Sequence, residues 1–202
     1  MGILSRGVRF FKENTFLATM RKIVYLLGAA ISTLLHCFRK IRFFIYTNCW
    51  VDTIRGKVHI SGIGNRVHIG SHTTLYEDTV FEINEKSSLK IGDYFTLSYG
   101  SLICCQQAVV IGNYVMIGEY SSIRDTTHVY DDPGIPYCLQ TDKSAEISIG
   151  NNVWIGRGCI IMPGTTIQDG VIVAANSVVK GELEKNCMYG GTPASLIKRL
   201  KN

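Results

Sequence analysis

The sequence predicts an all-β solenoid, a parallel β-helix, preceded by a helical segment and followed by a short extension. Three observations carry that reading. Residues 149–184 divide into six consecutive hexads, IGNNVW, IGRGCI, IMPGTT, IQDGVI, VAANSV and VKGELE. An aliphatic residue opens every one: Ile149, Ile155, Ile161, Ile167, Val173 and Val179. The fifth position holds Val153, Cys159, Thr165, Val171, Ser177 and Leu183, all small or β-branched except the last. A period of six is neither helical nor simple strand alternation, and a sustained repeat takes precedence over local propensity. One hexad makes a short strand and a turn, and three close a triangular coil of 18 residues. The openers stack inside the tube, where β-branched side chains favour extended backbone. Gly150, Asn151, Gly156, Gly164, Gly170 and Asn176 suit the corners, where φ is often positive.

The organisation along the chain is a helical segment over 1–48, a solenoid over 54–184 and an extension over 185–202. In the first segment Phe16, Met20, Ile23, Leu27, Ile31, Leu34 and Phe38 fall on one apolar face at helical spacing. The least polar run, Ile23 to Phe38, has 16 residues; at ~1.5 Å each it reaches about 24 Å, short of a hydrocarbon core of roughly 30 Å. It begins too late and lacks the cleavage site of a signal peptide. Arg6 stands where a myristoylation signal wants Ser or Thr. Two readings stay open. One is a basic amphipathic helical pair on an anionic inner-membrane face, anchored by Phe10, Phe11, Phe43 and Phe44. The other is a helical cap on the open first coil, or packing between subunits.

Charge separates the two regions. Residues 1–42 carry Arg6, Arg9, Lys12, Arg21, Lys22, Arg39, Lys40 and Arg42 against Glu13 alone, a net +7, so the other residues sum to −2 of the total +5. The near-neutral solenoid has no basic, aromatic-interleaved stripe, which argues against nucleic acid.

From about Ile54 one phrase recurs at Gly64–Gly70, Gly92–Ser98, Gly112–Gly118 and Gly150–Gly156, its starts 28, 20 and 38 residues apart. The longest gap holds TTHVYDDPGIPYCLQTDKSAE, a polar insertion at about 126–146. Loops leaving a rigid scaffold are where function concentrates. After Val179 the repeat fades, Gly190 to Pro193 reads as a turn, and Ala194 to Leu200 as a short helix or extension. Seven scattered cysteines, with no CxxC pair and an odd count, indicate reduced cytosolic thiols.

The phrases IGNNVWIG (149–156), IMPGTTI with VIVAANSVV (161–179) and GTPASLIKR (191–199) resemble the hexapeptide-repeat acyltransferases, whose solenoids are left-handed. The sugar and polysaccharide O-acetyltransferase branch is the nearest likeness, over about residues 54–200. The resemblance implies a homotrimer with acetyl-CoA in the groove between subunits and a general-base histidine, which falls on His128. A sugar hydroxyl attacks a thioester poorly unless a base takes its proton, and histidine, with an ordinary pKa near ~6.5, suits that work. No metal or covalent intermediate is required. Asp125 is expected to orient the imidazole or bind an acceptor hydroxyl; Ser98, Asp131 and Asp132 are expected on the acceptor.

For the donor, the likeness puts Trp154 beside the pantetheine arm and Ala175 along it, with Arg157 in reach of a phosphate. Lys180, Lys198 and Arg199 stand in for phosphate-binding residues found in relatives. Val129 follows the histidine where galactoside enzymes have Pro, which favours a surface polysaccharide or lipid-linked sugar acceptor. The expected setting is the cytoplasm, on or near the inner membrane face. Rival readings are N-acetylation of an amino sugar nucleotide, a solenoid that binds without catalysis, and a zinc enzyme of the γ-class carbonic anhydrase kind built on His59, His68 and His72.

Overall fold

A computed structural model describes residues 3–62 and 66–201, with side chains from Phe16 onward. Within it the chain divides into two compact units, residues 1–38 and 39–202. The expected helical pair is instead one helix, Ile3–Thr47. No Gly-Pro or Asn-Gly punctuation interrupts those residues, and their two glycines, Gly7 and Gly28, stand singly, so one long helix can form. The candidate anchors Phe10 and Phe11, and Arg6, Arg9 and Lys12, have side chains outside the described residues.

Residues 53–190 wind as a parallel solenoid whose short strands form three sheets of seven, six and six strands among the described residues, the first extended to eight by the antiparallel strand Ser195–Arg199. Register shows why the hexads repeat. On the first face Ile54, Leu75, Leu97, Ile117, Ile155, Val173 and Tyr189 align as one inward column. On the second, Ile60, Phe81, Ile103, Ile123, Ile161 and Val179 align. The third carries Ile69, Ile91, Ile111, Ile149, Ile167 and Leu183. All six hexad openers from Ile149 to Val179 are buried, and so are the six fifth positions. The polar fifth-position residues are satisfied by turn carbonyls: Thr165 Oγ1 donates to Met162 O at 2.7 Å, and Ser177 Oγ to Ala174 O at 2.6 Å. A buried hydroxyl without such a partner would be costly.

The first phrase of the repeat is set in a different register from the one its spelling suggests. Ile69 pairs with Ile91, and Gly70 N donates to Ile91 O, so Gly70 is the coil equivalent of Gly92. The true starts are Gly70, Gly92, Gly112 and Gly150, and Gly64 and Asn65 lie outside the described residues.

At this corner a side-chain ladder ties coil to coil. Asp93 Oδ1 accepts from Ser71 N, Asn113 from Asp93 N, Asn151 from Asn113 N and Asp169 from Asn151 N, at 2.6–2.9 Å. The next residues, Tyr94 and Tyr114, hold φ of 58° and 59°. That conformation is unfavourable for a bulky L-residue. Their rings stack at 4.8 Å, with His72 on Tyr94 at 4.3 Å, and such pairs contribute about 0.5–1.5 kcal/mol toward offsetting it.

The solenoid's two ends are closed differently. At the first coil Phe43 is 1% exposed and meets Phe81 edge-on at 5.8 Å, while Arg42 donates to Val58 O at 3.1 Å. Phe43, expected as a membrane anchor, is therefore a plug for the tube; Phe44 stays exposed beside Trp50. At the last coil Ser195–Arg199 forms a strand antiparallel to Cys187–Gly190. Of the two expectations for this segment, helix or extension, the extended one holds, because its backbone completes the edge left by the final coil.

Candidate active site

The long insertion leaves the second face directly after Ser122–Arg124 and returns as a two-stranded hairpin, Thr126–His128 against Asp142–Ser144. The hairpin is antiparallel and pairs Thr126 with Ser144, Thr127 with Lys143 and His128 with Asp142. Its base is anchored by Ala145 N donating to Asp125 O at 2.8 Å, and its far side by Val129 N donating to Thr141 O at 2.9 Å. Side chains opposite each other on such a pair are neighbours. His128 Nδ1 accordingly lies 2.6 Å from Asp142 Oδ1. The contact occupies the Nδ1 side of the ring and leaves the Nε2 side free of that carboxylate. Both side chains are more than half exposed, 75% and 57%, so the pair contributes little to stability.

A cavity of about 310 Å³ opens here, lined by Arg124, Thr126, Thr127, His128 and Asp142. The Arg124 guanidinium is steadied by Glu82 Oε2 at 3.3 Å and Cys104 Sγ at 3.2 Å.

Asp125 does not orient the imidazole. It is fully buried, and its carboxylate accepts three backbone N–H groups: Gln106 at 2.8 Å on one oxygen, Gln107 at 2.7 Å and Ala108 at 2.9 Å on the other. Those bonds hold the turn of the preceding coil and leave the acid facing away from the hairpin. Asp131 and Asp132 are also engaged elsewhere: Asp131 pairs with Lys143 at 3.7 Å, and Asp132 Oδ1 accepts Gly134 N at 2.8 Å to shape the loop. Neither lines the His128 cavity.

A second cavity, of about 500 Å³, runs along the first face. Among its lining residues are Ser98, Met116, Glu119, Trp154, Arg157 and Ala175. Register explains the grouping, since Thr96, Met116, Trp154, Ile172 and Met188 follow one another up the outer surface of that sheet. The coils approach tightly at the groove floor: a Cβ on Gly118 would stand 2.5 Å from Arg157 N. Trp154, Arg157 and Ala175, singled out for the donor, are thus brought together. Ser98, expected on the acceptor, joins them rather than His128. Lys180, Lys198 and Arg199 line neither cavity. Arg199 is held by Glu184 Oε2 at 2.8 Å, which also raises its pKa.

The two cavities share no lining residue. His128 belongs to the hairpin beyond the second face and Trp154 to the first. His59, His68 and His72 take three different settings: His59 lies 3.4 Å from Asp78, His72 stacks on Tyr94, and His68 borders a hollow beside Trp50.

Sequence reasoning misses Asp142, Arg124, Glu119 and Met116. The insertion carries three aspartates, and only the hairpin's register selects Asp142 among them.

Comparison with known proteins gives a consistent result. The profile described as "Bacterial transferase hexapeptide (six repeats)" matches residues 146–181. The chain is 31% identical over 152 residues to WbbJ of Escherichia coli (strain K12), by name a lipopolysaccharide biosynthesis O-acetyl transferase, covering 71% of this chain and 70% of that one. It is 31% identical over 121 residues to the galactoside O-acetyltransferase of the same organism, spanning 57% of this chain and only 56% of the relative. Among solved structures, AntD, an N-acyltransferase from Bacillus cereus in complex with dTDP and 3-hydroxybutyryl-CoA, aligns with a TM-score of 0.63 at 21% identity, covering 75% of this chain and 83% of that one.

Proposed function

The chain belongs to the hexapeptide-repeat acyltransferase family, and from that premise we propose that it transfers an acetyl group from acetyl-CoA to a sugar hydroxyl of a surface polysaccharide or its lipid-linked precursor. The single observation that carries the reading is the His128–Asp142 contact of 2.6 Å beside an open cavity. His128 Nε2 takes the hydroxyl proton as the oxygen attacks the thioester carbonyl. The C–O bond forms, the tetrahedral intermediate expels the thiolate, and the imidazolium returns its proton to sulfur. Asp142 accepts the Nδ1–H throughout and stabilises the imidazolium when it forms. General-base assistance of this kind contributes roughly 10²–10⁴-fold.

The donor is assigned to the groove at Trp154, Arg157 and Ala175, whose apolar wall suits a pantetheine arm. Because that groove and the His128 cavity share no residue in one chain, the reading calls for a groove completed by a second copy, in keeping with a homotrimer. Such an enzyme works in the cytoplasm, where acetyl-CoA is made, at the inner membrane face if the acceptor is lipid-linked.

A second reading, acylation of an amine on a nucleotide-linked sugar, is favoured by the likeness in fold to AntD. One experiment separates the two. The chain is incubated with acetyl-CoA and candidate sugars, and the product is exposed to mild alkali. An ester is cleaved and an amide survives. Absence of transfer to any sugar, with CoA still bound, opposes both.

A further inference from the structure

The helix over residues 16–38 leaves a broad apolar surface uncovered. Phe16, Ile23, Leu26, Leu27, Leu34 and Phe38 are 44–70% exposed. A surface of this size facing water signals a missing partner. At 3.6 residues per turn, Arg21, Tyr25, Gly28, Ser32 and His36 fall within an arc of about 80°, and most of the other residues are apolar. Outside that arc lie Thr19, Lys22 and Thr33, and the Thr33 hydroxyl is satisfied within the helix, donating to Ala29 O at 2.9 Å. The helix is therefore narrow in its polar stripe and provided for in an apolar medium.

We propose that this helix is an in-plane membrane anchor: it sinks lengthwise into the cytoplasmic leaflet of an anionic phospholipid bilayer and does not cross it. This rests on the catalytic reading above for the choice of leaflet, since that reading keeps the solenoid with cytoplasmic acetyl-CoA. The partner is identified by charge. Arg21 and Lys22 precede the uncharged run and Arg39 and Lys40 follow it, and long cationic side chains reach from an inserted helix to lipid phosphates.

Crossing is the competing geometry, and Phe16–Thr47 has the length and composition for it. Three features oppose it. The uncharged run of 16 residues, Ile23–Phe38, covers about 24 Å of a core of roughly 30 Å. Residues 1–22 carry five Lys and Arg, and residues 39–58 carry another five. Positive flanks are retained on the cytoplasmic side, so equal flanks hold both ends on one face. The polar stripe gives the helix a side to turn toward the headgroups, which an in-plane helix needs.

The test uses the full chain with an N-terminal epitope tag. Added to sealed vesicles of phosphatidylglycerol and phosphatidylcholine, it floats with them at low and at high salt, and externally added protease removes the tag. Leu27→Asp with Leu34→Asp lowers the bound fraction about tenfold or more, while acetyl transfer to a soluble sugar is unchanged, which certifies the solenoid as folded. Flotation that persists in the double variant, or no flotation of the parent, overturns the proposal. Equal binding to phosphatidylcholine alone overturns the assignment of anionic lipid, and a protease-protected tag shows a crossing helix. Flotation without any acetyl transfer upholds the anchor and counts against the catalytic reading instead.

Discussion

His128 and Asp142 stand directly opposite each other on the hairpin that interrupts the repeat, Nδ1 to Oδ1 2.6 Å. They lie on either side of an irregular loop in sequence, yet two strands of three residues each bring them together. The hairpin converts the insertion into a rigid holder for one imidazole, and its base is fastened to the solenoid at Asp125.

Replacing the base tests the assignment. His128→Ala lowers kcat by about 100-fold or more with the acetyl-CoA KM little changed, since a proton acceptor acts in the transition state. Steady-state kinetics read both values, and equal losses in turnover and CoA binding count against His128.

In the proposed reaction Asp142 acts as a positioning residue. Asp142→Asn lowers kcat by roughly 10–100-fold through loss of the correct tautomer, and Asp142→Glu recovers part of it. A merely structural role would show a matching loss of thermal stability and no rescue.

Asp125 behaves in the opposite way. Asp125→Ala strands three backbone N–H groups that now meet a carboxylate. It costs about 3 kcal/mol and lowers Tm by roughly 6–12 °C. Calorimetry of Asp125 and Asp142 variants side by side separates scaffold from site.

Trp154→Ala raises the KM for acetyl-CoA about tenfold, with a smaller effect on kcat, if the indole walls the donor groove. An acceptor KM that moves instead reassigns the groove.

Thiol chemistry reports on the core. Cys37 and Cys138 are exposed, whereas Cys49, Cys104, Cys105 and Cys159 are buried and desolvation raises each of their pKa values. A maleimide at neutral pH labels the exposed pair and spares these four until the chain unfolds. Cys105 is pushed up from 9.0 to about 11. A raised folded-state pKa means the stabilising contribution is complete below pH 9 and is lost as pH climbs from there through about 11. Cys105→Ala flattens that alkaline decline of Tm.

The parts legible in the sequence are those where one side chain repeats one physical task. Ile149, Ile155 and Ile161 announce a buried column because each fills the same place in successive faces. Trp154, Arg157 and Ala175 are singled out by the resemblance to the family, and the structure places them along one cavity. Pairings across coils are less legible: Gly64 and Gly70 spell equally good starts, and only hydrogen bonding to Ile91 selects Gly70. Asp125 misleads because nearness to His128 in sequence outweighs, to a reader of letters, a nest of N–H groups one coil away. Asp142 lies beyond such reading, since an antiparallel register across an irregular loop leaves no periodic trace. Phe43 and Phe44 look alike as letters, yet one closes the tube and the other faces outward.

The central claim is that one copy's imidazole meets a thioester held in a groove completed by another copy. A crystal structure with bound CoA tests it most directly. The account predicts CoA along Trp154 and Ala175 of one chain, its sulfur within about 4 Å of the place where an acceptor oxygen would touch Nε2 of a neighbouring chain's His128. CoA bound to a lone chain, or with its sulfur remote from every His128, would contradict it.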